Sequence, residues 1–168
     1  MAETMALGGE DTPVAEVARR AGVSKRTVYH YFPDRNARVA AIDQWLDLQL
    51  RPDAILPSDF EDILDYVERM VHYVLANEVW VKAQIAPGLP KQVRNLRKQR
   101  HRKALRAALR LRMDDAAAVD ELSALILSTV RAEAIFDMSE IYGLSEKRIK
   151  KNFRTMVQAL IDEHLPSP

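Results

Sequence analysis

The chain of 168 residues contains no cysteine. This absence excludes disulfide bridges, thiolate metal ligands and cysteine nucleophiles. No apolar run approaches the ~20 residues that a helix needs to cross a bilayer, so we expect no membrane partner. The first eleven residues are acidic and broken by two glycines, which is not the pattern of a secretory signal. We therefore expect a soluble, cytoplasmic protein.

The short motifs of the common enzyme classes are also missing. The sequence has no G-x-S-x-G, no Walker loop, no H-E-x-x-H and no Glu-x-x-His pair of the di-iron bundle type. Glu68 and His72 stand one helical turn apart, but such a pair alone is more often an ordinary surface or core pair than a metal site. We predict no catalytic residue, no metal site and no cofactor, and hence no enzyme.

Glycine is scarce, with five residues, and both glycine and proline fall between segments with helical periodicity. Gly22, Pro33 and Gly143 interrupt such segments, and no segment alternates with the period of a strand. Apolar residues make up 48% of the chain, which is enough for a sizeable core. The sequence predicts an all-α fold, including one long helix from about residue 114 to 142. Pro52 and Pro57 mark the best domain boundary, between residues 1–50 and 51–168.

The net charge of +1 hides an uneven distribution. Residues 12–38 carry six basic side chains and two acidic ones, and residues 91–112 carry ten basic side chains and no acid. Residues 59–68 are acidic instead, with five carboxylates. Either basic segment could meet an anionic partner.

Residues 12–39 contain two short helical patterns separated by Ala21-Gly22-Val23. We expect Thr12 to cap the first helix, with Pro13 at its first position, and Ser24 to cap the second. Potential hydrogen-bond donors crowd the second helix: Lys25, Arg26, Thr27, Tyr29, His30 and Tyr31. A short helix of this kind behind a glycine turn is typical of a helix-turn-helix that presents side chains to the major groove of double-stranded DNA.

In these residues the chain resembles the TetR family of bacterial transcriptional regulators. The matching positions are Thr12, Val17-Ala18, Ala21-Gly22-Val23-Ser24, Thr27-Val28-Tyr29, Tyr31-Phe32 and Asp34-Arg35. The resemblance implies a helix-turn-helix DNA-binding domain over residues 1–50. It also implies a helical effector-binding and dimerisation bundle over residues 51–168, whose ligand cannot be inherited from the match.

The resemblance further implies roles for single residues. Ser24, Thr27, Tyr29, Arg35 and Thr12 would contact phosphates. Lys25, Arg26 and His30 would reach base edges or nearby phosphates. The small core that joins the two helices would contain Val17, Ala18, Val23, Val28 and Phe32, and Tyr31 is expected in the core rather than at the DNA. Without DNA, Ser24 and Thr12 would still be caps, and the basic residues would be ordinary solvated side chains.

The sequence departs from the family pattern at its start. Only eleven residues precede Thr12, so that Met5, Ala6 and Leu7 could form no more than the last turn of the family's first helix. Our hypothesis is that DNA binding is weakened or conditional in this form. The alternative function is therefore a dimeric helical ligand-binding protein with impaired or lost DNA binding.

The apolar stripes of two carboxyl-terminal segments predict a dimer interface, in which each chain contributes two helices to a four-helix arrangement. The alternative is that the stripes pack on the core of a single chain. The predicted interface residues are Leu122, Ile126, Thr129, Phe153, Met156, Val157 and Leu160.

Large or polar side chains on apolar helices are the candidates for binding a small-molecule effector: Tyr66, Met70, Tyr73, Trp80, Gln84, Arg131 and Phe136. Arg131 is the most suggestive, because a charge within an apolar helix needs a partner. That partner would be Glu133 or Asp137 of the other subunit, or an acidic ligand.

The basic segment 91–112 permits two interpretations. An apolar strip of Val93, Leu96, Ala104, Ala107, Ala108 and Leu111 would let it pack in a bundle, with its charges solvated or partly paired with the acidic residues 59–68. Alternatively, it forms a second surface for nucleic acid or an anionic ligand. Taken together, the sequence predicts a homodimeric repressor that binds a palindromic operator and is released by an effector.

Overall fold

The described residues, 12–50, 55–85 and 91–165 of a computed structural model, form helices and turns without any strand. This confirms the predicted all-α fold. The α-helices are α1 Val14–Ala21, α2 Lys25–Tyr31, α3 Arg35–Leu50, α4 Ile63–Ala76, α5 Glu78–Ile85, α6 Lys91–Leu109, α7 Ala116–Thr129, α8 Ala132–Phe136 and α9 Glu146–His164. A π-helical turn, Asp137–Ile141, follows α8.

The chain forms two compact units. The first comprises residues 1–52 and 77–96, and the second comprises residues 53–76 and 97–168. Residues 77–96, which the sequence analysis assigned to the second domain, thus cluster with the first unit. The first unit contains α1, α2, α3 and α5, and most of the remaining helical residues lie in the second.

The first unit is built around the contact of α1 with α2. Val17 and Val28 are fully buried and Ala18 is nearly so, which places the predicted small core between the two helices. Val23 and Phe32 are half-buried at its edge. Because so short a pair of helices has room for only a few buried side chains, the rest of α2 is exposed apart from the half-buried Thr27.

In the second unit, α9 packs against α4 and α7, and α4 also packs against α8. Each helix buries a stripe of apolar residues spaced by three or four positions, as an amphipathic helix should. On α4 the stripe includes Ile63, Val67, Val71 and Val74, all buried. The corresponding stripe on α9 is Ile149, Phe153, Val157 and Ile161.

Polar side-chain contacts cross from α4 to α9 at two levels. The Arg154 guanidinium lies 2.8 Å from Asp65 and 2.9 Å from Glu68. Further along, His72 Nδ1 lies 3.0 Å from Glu146 Oε1. Glu68 and His72 are thus each engaged with α9, and the described residues contain no group of three side chains able to hold a metal.

The predicted continuous helix from residue 114 to 142 is wrong. The chain leaves helical geometry after Thr129, and Arg131 is extended before α8 begins. Thr129 Oγ1 donates to the carbonyl of Leu125 at 2.9 Å, a side-chain bond that bends helices, and the β-branched Val130 follows it. The π-helical turn then bonds Tyr142 N to Asp137 O at 3.1 Å, and Gly143 turns the chain with φ of +62°.

Three other boundaries differ from the sequence pattern, which predicts that Thr12 caps α1, that α4 starts at Asp59 and that α6 runs to about Met113. Helix α1 begins at Val14 with Pro13 at the capping position, so Thr12 precedes the cap rather than forming it. Helix α4 begins at Ile63 because the Asp59 side chain accepts from Asp62 N at 2.9 Å and holds the preceding residues in a turn.

Helix α6 ends at Leu109, earlier than expected. Its buried positions are His101, Leu105, Ala108 and Leu109. Ala107 is exposed and Leu111 is 64% exposed, so the predicted apolar strip is wrong at these two positions. Among the side chains of α6 that the structure describes, the buried apolar ones are Leu105, Ala108 and Leu109.

Some expectations lie outside the described residues. These are the partial first helix at Met5–Leu7, the boundary at Pro52, the helix stop at residues 87–90, and the side chains of Gln84, Val93 and Leu96. Of the helices that are described, none is long and apolar enough to cross a membrane.

Candidate nucleic-acid interface

The turn between α1 and α2 is set by Gly22. Its φ of +66° lies in the left-handed region, which favours glycine. Val23 N donates to Ala18 O at 3.0 Å across the turn, a bond typical of a helix that ends at a left-handed residue. A Cβ at Gly22 would meet no atom within 4 Å, so the backbone angle rather than space requires glycine here.

Ser24 caps α2, as predicted. Its Oγ accepts a hydrogen bond from Thr27 N at 3.0 Å and lies 2.9 Å from Thr27 Oγ1. The two hydroxyls therefore lie together at the amino terminus of α2, where unsatisfied backbone N–H groups attract anions. Ser24 is exposed and Thr27 is half-buried, so a phosphate can approach the pair.

The potential DNA contacts of α2 lie on its exposed side. Lys25, Arg26 and His30 are exposed, and Tyr29 is 52% exposed. Val28 is fully buried among them, which fixes how the helix is rotated. The structure thus brings six of the predicted residues, Ser24 to Thr27 with Tyr29 and His30, onto one short helix.

The prediction that Tyr31 lies in the core is wrong. It was expected in the core but is 63% exposed, with its ring edge-on to His30 at 5.3 Å between centroids. Helix α2 ends at Tyr31, one residue before the half-buried Phe32, so only Phe32 turns toward the core. The exposed Tyr31 ring extends the candidate surface. The signal that could have revealed it is that Tyr31 and Phe32 are adjacent at the end of a short helix, so that both rings cannot face the core.

The positive charge of the first unit is more localised than its composition suggests. On α1, Glu16 accepts from both Arg19 and Arg20, each at 2.6 Å. Hydrogen bonds from Arg19 and Arg20 lower the pKa of Glu16 to about 2. Because these two arginines are paired with an acid, the positive charge that α1 and α2 offer to a partner lies mainly at Lys25 and Arg26.

The two remaining residues that were predicted to contact DNA lie outside α2, near the starts of α3 and α1. Arg35 is exposed at the first position of α3, next to Asp34, whose side chain accepts from Ala37 N at 2.8 Å and so caps that helix. Thr12 is half-buried, two residues before α1. Neither residue belongs to α2.

The candidate effector residues do not form one group. Trp80 lies in the first unit, where its ring packs edge-on against Trp45 at 4.8 Å between centroids. Tyr66 is buried in the second unit, with its hydroxyl 3.1 Å from His101 Nδ1. Phe136 is buried there too, and Met70 and Tyr73 are half-buried. The buried His101 was missed, because a lone histidine in a basic segment gives no signal.

The prediction that Arg131 lies within an apolar helix and needs a charged partner is wrong. Arg131 is exposed and lies at the break before α8, not within an apolar helix. Water can therefore solvate its charge, and no acidic ligand or partner carboxylate is needed.

Most of the residues predicted to form the dimer interface are buried within a single chain, so that part of the prediction is wrong. Leu122, Ile126 and Val157 are fully buried and Phe153 is 1% exposed within a single chain. They form the core of the second unit, because a periodic stripe does not reveal which surface covers it. Thr129 and Leu160 are half-buried, and Met156 is 36% exposed.

Comparison with known proteins agrees with the amino-terminal geometry. Residues 2–42 match the family described as bacterial regulatory proteins, tetR family. Fifty residues are 44% identical to the HTH-type transcriptional regulator BetI of Klebsiella pneumoniae (strain 342), and equally to BetI of Escherichia coli (strain K12 / DH10B). These alignments cover 30% of this chain and 25% of each relative, so the chain spans about a quarter of the length of the curated relatives it matches. No solved structure matches the chain.

Proposed function

We propose that this chain, whose residues 2–42 match the TetR family, is a transcriptional regulator of that family that binds double-stranded DNA. One observation carries the proposal: a capped helix behind a glycine turn exposes Lys25, Arg26, Tyr29 and His30 beside two hydroxyls. The relatives that share this segment are named as HTH-type transcriptional regulators.

The roles within the interface follow from position. The hydroxyls of Ser24 and Thr27, at the amino terminus of α2, would bind a backbone phosphate and set the register of the helix. Lys25, Arg26 and His30 project from the exposed side and would contact base edges in the major groove or adjacent phosphates. Tyr29, Arg35 and Thr12 would add phosphate contacts on either side.

We further propose that the regulator acts in the cytoplasm as a homodimer on a palindromic operator, with half-sites roughly 34–36 Å apart. Leu125 and Met156, which are 37% and 36% exposed, offer apolar surface on α7 and α9 for self-association. The protein would be a repressor, released when an effector binds the second unit and shifts the population of dimers away from the DNA-fit state.

Duplexes selected from a random-sequence library, measured by fluorescence anisotropy, test the central proposal. Arg26→Ala should weaken binding to the selected duplex by about 1–3 kcal/mol if the guanidinium reads a base. Arg19→Ala is the matched control: it removes the same group from the neighbouring helix, where Arg19 is already paired with Glu16. Its affinity should stay close to that of the original protein.

Equal losses in the two variants would contradict the proposed reading surface. If no duplex is retained by the library selection, the protein is instead a helical ligand-binding protein without DNA binding.

A further inference from the structure

The exposed face of α9 divides its charges between its two ends. Lys147, Arg148 and Lys151 are exposed near the amino end, and Asp162 and Glu163 are exposed near the carboxyl end. The exposed side chains between them carry no charge: Asn152, Thr155, Met156, Gln158 and Ala159. This face of the helix therefore has a positive end, an uncharged middle and a negative end.

Contacts within the chain do not account for the charges at the two ends. Within the part of the chain that the structure describes, neither Arg148 nor Glu163 forms an ion pair. The helix macrodipole favours acids in the first turn and bases in the last. Glu146 and His164 follow this preference, whereas Arg148 and Glu163 oppose it. A contact with another molecule would explain why the helix carries these two charges in the less favourable order.

One stripe of this face, here called the α9 stripe, runs from an arginine to a glutamate. Its members recur every three or four residues and so lie on one side of the helix: Arg148, Asn152, Thr155, Ala159 and Glu163. The midpoint between Arg148 and Glu163 falls in the uncharged middle, at Thr155 and Met156. When a second α9 lies antiparallel across this midpoint, Arg148 of each chain meets Glu163 of the other. The α9 stripe is thus complementary to itself, as a two-fold interface requires.

The middle of the α9 stripe is suited to burial against a second copy. Ala159 is small, and Met156 beside it is 36% exposed. Thr155 Oγ1 donates to the Lys151 carbonyl at 3.0 Å, so this hydroxyl keeps its partner when water is excluded. On the neighbouring helix α7, Leu125 adds a side chain that is 37% exposed. A centre of this kind between charged ends is typical of a protein interface.

The other large apolar side chains exposed on the second unit do not offer the same charge pattern. Leu111 is 64% exposed, but residues 91–112 contain no acid that could meet the bases of a second copy. Ile141 and Tyr142, each 71% exposed, come just before the positive end of α9. In an antiparallel pair this end meets the carboxyl end of the partner's α9, so the two side chains would enlarge the same contact. Among the helical side chains that the structure describes, only those of α9 expose Lys or Arg at one end and Asp or Glu at the other.

We infer that the α9 stripe is the self-recognition surface of this protein, on which a second copy packs antiparallel, with Arg148 of each chain against Glu163 of the other. The inference rests on the homodimer of the proposed function and adds its register and the charges that select the partner. Because a two-fold axis repeats each contact, one charge reversal disturbs the interface twice. A chain with another order of charges on this helix is rejected, since like charges then meet.

The dimer dissociation constant of the full chain, measured by sedimentation equilibrium, tests the register. Arg148→Glu and Glu163→Arg should each raise this constant by about tenfold or more, because like charges then meet at both contacts. An equimolar mixture of the two variants should dimerise as strongly as the original chain, since opposite charges meet again. The double variant Arg148→Glu/Glu163→Arg, whose net charge is unchanged, should also dimerise with itself. The reversed charges agree with the macrodipole, so α9 should fold in every variant.

Arg110→Glu is the matched control. It reverses an exposed arginine of the same unit that forms no ion pair in the described part of the chain, and its dissociation constant should stay close to the original value. An equal rise in this control would show a general charge effect and overturn the inference. Single variants that dimerise like the original chain, or a double variant as weak as they are, would overturn it as well. So would an Arg148→Glu protein that keeps its dimer but loses binding of unselected duplex DNA, which would assign the positive end to nucleic acid.

The outcome is separable from that of the proposed function. An original chain that sediments as a monomer would overturn the proposed homodimer and the inference together. A dimer that is insensitive to the charge reversals would overturn the inference alone. DNA binding by α2 is measured separately, because Arg26→Ala should weaken operator binding without changing the dissociation constant of the dimer.

Discussion

Ser24 has two separable roles, because its hydroxyl both caps α2 and faces a prospective phosphate. In Ser24→Ala the bonds to Thr27 N and Thr27 Oγ1 are lost. Loss of an N-cap costs about 1 kcal/mol, which in a unit of this size lowers the melting temperature by about 4–8 °C. The melting temperature is measured from the loss of the helical circular-dichroism signal at about 222 nm on heating.

Ser24→Asp distinguishes the two roles. Aspartate caps a helix about as well as serine, and its charge is favourable at a helix amino terminus, so the unfolding midpoint should be retained. The same carboxylate would repel a phosphate, so operator affinity should fall far below that of Ser24→Ala. Refutation would come from a Ser24→Asp protein that binds operator as well as the original chain, or that melts as early as Ser24→Ala.

Two further predictions concern other buried or charged contacts. Since the pKa of Glu16 is depressed to about 2 from 4.5, its stabilising effect is present above pH 4.5 and lost as the pH falls toward 2. Urea unfolding should therefore separate Glu16→Gln from the original chain at neutral pH and not near pH 2; a pH-independent difference would contradict this. Tyr66→Phe leaves a buried nitrogen of His101 without the tyrosine hydroxyl and should cost about 1–3 kcal/mol in urea unfolding. Tyr142→Phe, at a ring that is 71% exposed, should cost nothing measurable, and equal losses would show that burial of the Tyr66 hydroxyl is not the cause.

Local rules predicted the first unit well. Gly22, Ser24 and Asp34 each act within four residues of the chain, through a backbone angle or a cap, so sequence alone identifies them. The pattern from Val17 to Val28 likewise implies a small shared core, and both ends of it are buried. The exposed positions of α2 follow from the same pattern except for Tyr31, which was expected in the core.

Features that depend on distant contacts were not predictable in this way. The stripe at Leu122 and Ile126 is apolar whether another helix of the chain or a second chain covers it, and only the fold shows that the core does. The break at Val130 accompanies the hydrogen bond from the Thr129 hydroxyl to the Leu125 carbonyl, and a threonine followed by a valine is too common within helices to predict such a break. The assignment of Arg131 to a helix failed together with that break.

The paired contacts between α4 and α9 have a mechanical consequence. The helices run in opposite directions, since Asp65 meets Arg154 whereas the later His72 meets the earlier Glu146. Sliding one helix past the other by a single turn would separate both contacts together, so the two contacts favour the same register of the helix pair.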